Sequence, residues 1–146
     1  MSNKKIVKLS NKKVARLHFQ PIQGKALDIV AAILQTEEVA SVGDGLSTIR
    51  LVAEELVVNV VDYSGSDYLD VETVRDADSV TLRFRDGGVP FNPLAKEAPD
   101  TSLPLEERRI GGLGILMVTK MMDAVDYEYK DGENVLTVRR KLRVKS

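Results

Sequence analysis

Residues 68–86 read YLDVETVRDADSVTLRFRD, and the fold class follows from this stretch. Tyr68–Val74 and Val80–Arg85 are rich in β-branched and aromatic residues and partly alternate apolar with polar positions, as half-buried strands do. Arg75-Asp76-Ala77-Asp78 between them supplies turn residues, so a hairpin joins the two strands. The pattern recurs downstream, where Ala124–Tyr129 and Val135–Leu142 flank Lys130-Asp131-Gly132-Glu133, a plausible type I′ or related turn. A doubly wound parallel sheet needs a helix between successive strands, and here it is missing.

Working outward, Lys5–Leu9 and Val14–Phe19 are two further candidate strands. Ala26, Ile29, Val30, Ile33 and Leu34 then follow helical spacing, which predicts a helix over roughly residues 23–38. Gly43-Asp44-Gly45 breaks the chain, and Asp44 can cap a second helix. Its wide apolar face, from Leu46 through Val61, runs to about Tyr63. Beyond Asp86 a loop extends to about Ile110 and contains Pro93, Pro99 and Pro104; helical spacing resumes over Leu113–Met122. The order β-β-α-α-β-β-loop-α-β-β predicts a single α+β domain. It would be a two-layer α/β sandwich whose mixed, mostly antiparallel sheet carries helices on one face.

The 146 residues are 43% hydrophobic and 29% charged, the composition of an ordinary soluble domain. No apolar run is long enough to span a bilayer, and the N-terminus does not read as a signal peptide. The lack of cysteine removes disulfides, thiolate metal sites and cysteine nucleophiles, and agrees with a cytoplasmic location. The net charge of −1 conceals an uneven distribution: residues 28–133 hold all 22 acids against nine bases, whereas the two ends hold twelve bases and no acid. Basic ends can steer an acidic partner or simply be solvated. An acidic body argues against extensive nucleic-acid contact.

Three short elements carry candidate chemistry. Glu55 and Asn59 stand four apart on the second predicted helix and share a face. A carboxamide oxygen suits Mg2+, and a carboxylate beside it can take a hydroxyl proton; the pair would equally suit the solvent side of an amphipathic helix. Arg85-Asp86-Gly87-Gly88-Val89-Pro90 ends a strand. Asp86 could accept a hydrogen bond from an exocyclic amine while Gly88 allows close approach of a ring, or the segment is only a turn. Ile110-Gly111-Gly112-Leu113-Gly114-Ile115 opens a helix, a setting for phosphate on backbone N–H groups or for a hinge. It is no Walker loop, since it lacks Gly-Lys-Ser/Thr. His18 reads as a strand residue. Met117, Met121 and Met122 read as core filler.

In this order, Glu-x-x-x-Asn, Asp-x-Gly-x-Pro and Gly-x-Gly-Ile resemble the GHKL superfamily of ATPases and kinases. The resemblance covers about Val14 to Leu142 and is nearest to the anti-sigma-factor serine/threonine kinases of the SpoIIAB and RsbW type. It implies a Bergerat-type sandwich that binds ATP with Mg2+. Asn59 would be the metal ligand, Glu55 the general base, Asp86 the adenine partner and Gly88 its neighbour. Gly112, Leu113 and Gly114 would form the phosphate-binding helix start. Residues 92–109 would be the ATP lid, with Arg108 or Arg109 reaching the γ-phosphate. Implied partners are a small STAS-type anti-anti-sigma factor and a sigma factor, with no direct nucleic acid, no membrane and a possible homodimer. The chain departs from the pattern at Asp62, where many relatives carry histidine, and at Glu133-Asn134-Val135, where Gly-Thr-Thr is common. A nucleotide-gated binding switch without phosphotransfer and a stand-alone histidine-kinase catalytic domain are the alternatives.

Overall fold

The computed structural model describes residues 12–92 and 111–142. The strand expected at Lys5–Leu9, Arg108, Arg109 and nearly all of the expected lid lie outside these residues. Strand β1 (Lys13–Phe19) leads to helix α1 (Ala26–Gln35), a short helix α2 (Glu37–Ala40) and a 3-10 turn at Gly43–Gly45. Helix α3 (Leu46–Asn59) follows and winds into a π-helical turn at Val60–Ser64. Then come β2 (Leu69–Arg75), β3 (Ser79–Asp86), α4 (Gly111–Met121), β4 (Ala124–Lys130) and β5 (Glu133–Lys141).

The strands form one sheet in the order β1-β2-β3-β5-β4, and the four pairings among the described strands are all antiparallel. Because side chains alternate along a strand, the register sorts residues into rows of one face. Leu17, Val71, Phe84, Leu136 and Tyr127 line up across the sheet as one such row. These residues face the helices, where Ile29, Val30 and Ile33 of α1 and Ile49, Val52, Ala53, Leu56 and Val57 of α3 complete the core. The adjacent row on the other face is polar: Arg16, Glu72, Arg83, Thr137 and Asp126. Glu72 pairs there with Arg16 at 3.0 Å and Arg83 at 3.2 Å. This is the two-layer sandwich with helices on one face that the hairpins predict.

Turn chemistry follows the sequence in one place and not in another. Asp131 and Gly132 both have positive φ, 54° and 79°, as a type I′ turn requires. Asp44, by contrast, does not cap α3: it lies inside the 3-10 turn, the capping position falls to Gly45, and no side chain bonds there. The first helix also breaks at Thr36, whose hydroxyl bonds back to the Ile33 carbonyl at 2.8 Å while its backbone is extended. Among the methionines, Met122 is buried and Met121 packs beside it, whereas Met117 points outward at 47% exposure and fills no core. His18 pairs with Asp70 and stacks on Tyr68, the strand role expected of it.

Candidate functional site

The sheet alternation that buries Val80, Leu82 and Phe84 carries Asp86 onto the same, helix-covered face, at the end of β3 where the apolar core stops. Asn134 is its partner in register on β5 and is equally buried. The Asp86 Oδ1 accepts the Gly88 N–H at 2.9 Å and the Asn134 Nδ2 at 3.1 Å. The Ser64 hydroxyl lies close enough to favour the ionised carboxylate as well. Burial nonetheless raises its pKa above the ordinary aspartate value; Gly88, Asn134 and Ser64 oppose the shift and the Glu133 charge adds to it.

The π turn brings Ser64 here. A wider turn re-aims the end of a helix without breaking its path, and Gly65, at φ 69°, then releases the chain. The Ser64 carbonyl accepts the Val89 N–H at 3.1 Å. A side chain on Gly88 would put its Cβ 2.0 Å from that carbonyl oxygen, so the close approach at Gly88 is to the backbone of Ser64.

Asp86, Asn134, Asn59 and Ser64 share a small cavity of about 30 Å3, walled by Leu56, Val60, Phe84 and Leu136, with Phe91 and Tyr127 at its margin. Such a volume holds little more than one water. An apolar slot with a buried carboxylate at one end suits a flat heterocycle that carries an amine. Phe91 stacks on Tyr63 of the π turn with the ring centroids 6.2 Å apart.

Glu55 and Asn59 do not lie on the solvent side of α3. Asn59 is buried at 9% exposure and lines the cavity, and Glu55 is half-buried beside it. The Asn59 amide lies close enough to act on the Glu55 carboxyl. Burial raises the Glu55 pKa, opposed by the Asn59 amide, and Oε1 of Glu55 is buried without a hydrogen-bond partner. A buried carboxylate oxygen with no donor is costly unless another group comes to it. The described residues contain no cluster of three His or carboxylate side chains able to hold a metal by themselves.

Helix α4 begins at Gly111, so Gly112, Leu113 and Gly114 fall in its first turn, where backbone N–H groups have no carbonyl partner within the helix. It packs against α3, the helix that bears Glu55 and Asn59. Sequence reasoning names Glu55, Asn59, Asp86 and Gly88 but passes over Ser64, Tyr127 and the inward role of Asn134. The signal for Asn134 is present: it stands at period two with Leu136 and Val138, on the buried face of its strand. No helix among the described residues is long and apolar enough to cross a membrane.

Comparison with known proteins agrees with this fold. Residues 22–140 match the family model described as the histidine kinase-like ATPase domain. The chain is 27% identical over 97 residues to the serine/threonine-protein kinase BtrW of Bordetella bronchiseptica, a match spanning 62% of this chain and 67% of that protein. With the family model covering most of its length and a two-layer sandwich beneath it, the chain belongs to the histidine kinase-like ATPase domain family.

Proposed function

We propose that this protein binds Mg-ATP and transfers its γ-phosphoryl group to a serine or threonine of a small STAS-type anti-anti-sigma protein. In the alternative state it would sequester a sigma factor. The observation that carries the reading is the unpartnered Oε1 of Glu55, one helical turn from Asn59, which lines the cavity that also holds Asp86. The name of the Bordetella relative supports the serine/threonine specificity; the two partners rest on the resemblance in sequence.

Each part has a physical assignment. Asp86 accepts a hydrogen bond from the adenine amine, and the apolar walls take the ring. Gly112, Leu113 and Gly114 offer backbone N–H groups to the phosphates. Asn59 supplies a hard carboxamide oxygen, which fits Mg2+ because this ion takes few protein ligands and completes its shell with phosphate and water. Bound there, the cation neutralises charge on the phosphates. Glu55 accepts the hydroxyl proton as the serine oxygen bonds to the γ-phosphorus and the bond to the bridging oxygen of ADP breaks. Arg109 is the residue proposed to contact the γ-phosphate from the lid.

Incubation with γ-labelled ATP, Mg2+ and the cognate antagonist tests the proposal: a labelled hydroxyl amino acid is expected, and none with Glu55→Gln. Absence of label from the wild type would rule out the kinase role. The exposed Asp62 on the π turn, where many relatives carry histidine by the resemblance in sequence, favours a second reading: a nucleotide-gated switch that exchanges partners without transfer. Partner exchange that depends on ATP but leaves no labelled product would decide for it.

A further inference from the structure

The side chain of Asn134 uses its whole hydrogen-bonding capacity within the site. Its Nδ2 donates to Asp86 Oδ1 at 3.1 Å and to the Val89 carbonyl at 2.8 Å. Its Oδ1 accepts the Phe91 N–H at 2.9 Å and the Tyr127 hydroxyl. The orientation of the amide follows from its partners. A backbone N–H can only donate and a backbone carbonyl can only accept, so Phe91 and Val89 between them permit one of the two flips. Fixed in this way, the amide presents N–H to Asp86 and cannot present oxygen.

The effect on Asp86 is directional. Oδ1 receives both the Asn134 and the Gly88 donors, and this holds the rotamer of the carboxylate. Neither Ala nor Asp at position 134 can donate to Asp86 and Val89 while accepting from Phe91 and Tyr127. We propose that Asn134 is the positioning residue that aims the Asp86 carboxylate at the amino group of a bound adenine. The proposal rests on the reading of Asp86 given above. It adds that recognition of the amine is set from β5 as well as from β3, through a residue that does not itself touch the ring.

The test compares ATP with purine riboside triphosphate, which lacks the 6-amino group, by calorimetry on the full chain. Wild type should prefer ATP by about tenfold or more, the scale of a hydrogen bond to a charged acceptor. In Asn134→Asp and Asn134→Ala this ratio should fall toward one, chiefly through weaker ATP binding, while the analogue binds within about threefold of wild type. A residue that merely supports the fold would weaken both ligands alike. The pH at which ATP binding is lost on acidification should also move upward in Asn134→Ala, because a donor that favours the ionised Asp86 has gone. Asn134→Ala covers the case in which two facing carboxylates prevent Asn134→Asp from folding. A wild type that does not distinguish the two ligands overturns the assignment of Asp86 and the proposal with it. A wild type that does distinguish them, with both ratio and pH midpoint retained in the variants, overturns the role of Asn134 alone.

Discussion

At Glu55, the burial that leaves Oε1 without a donor also raises the pKa of the carboxyl, and this fixes how transfer should depend on pH. A general base acts when ionised, so the rate should climb along a limb displaced above the ordinary glutamate range. Glu55→Gln should lower single-turnover transfer by about 10²–10⁴-fold and flatten that limb, with ATP affinity changed only a few-fold. At Asp86 the sign concerns stability. Its folded pKa is raised, so between the unfolded and folded values the native state holds the extra proton. The ligand-free protein therefore loses stability as pH rises through that window. Asp86→Asn removes the buried charge: denaturant melts near neutral pH should show a ligand-free protein at least as stable as wild type, although ATP titration shows lost binding. A variant that melts earlier than wild type would contradict this account of the carboxylate. Gly88 is constrained by contact alone, since a Cβ there meets the Ser64 carbonyl at 2.0 Å. Gly88→Ala should cost about 1–3 kcal/mol, read as a lower urea midpoint with unchanged slope.

The strands were largely legible in the sequence and the helix ends were not, for a physical reason. Leu69, Val71 and Thr73, or Val80, Leu82 and Phe84, mark a buried face through a period of two that a short window displays in full. The same period, carried one step further, points Asp86 and Asn134 inward and would have brought them together. The π turn at Val60–Ser64 has no such signature. Its apolar residues continue the pattern of α3, and only the approach of Gly88 to Ser64 shows why the turn widens. Asp44 misled for a related reason: a good capping residue is of no use where a 3-10 turn already leads the backbone into the helix. At the other end of the helical layer, Arg140 on β5 donates to the Met121 carbonyl at 2.5 Å and so satisfies the last turn of α4. That bond joins α4 to the strand bearing Asn134. Arg140→Met keeps the apolar stem and removes the donor; a loss of about 0.5–1.5 kcal/mol is expected in thermal melts. No change in the melt would mean that water replaces the cap at no cost.

For the molecule as a whole, the site lies where three parts of the fold meet. The end of β3 and the start of β5 supply Asp86 and Asn134, α3 with its π turn supplies Glu55, Asn59 and Ser64, and α4 supplies the glycine turn. The cavity among the first two groups is about 30 Å3, far too small for a purine. The ring of Phe91 stacks on Tyr63 and is the part a base would displace, while the Phe91 N–H stays on Asn134. Binding must then disturb contacts that belong to the ligand-free fold, and measured affinity is the surplus left after that cost. Linkage still requires net stabilisation: at a ligand concentration about 100 times Kd the gain is about 2.7 kcal/mol. In a domain of this size that corresponds to a rise in Tm of about 5–11 °C. Mg-ATP should produce this shift in the wild type, and Asp86→Ala and Asn59→Ala should lose most of it. Phe91→Ala opens the slot in advance, so its ligand-free Tm should drop while the shift caused by Mg-ATP grows. If Phe91→Ala lowered the Tm and the shift together, Phe91 would be part of the wall that grips the base, and the slot would have to open elsewhere.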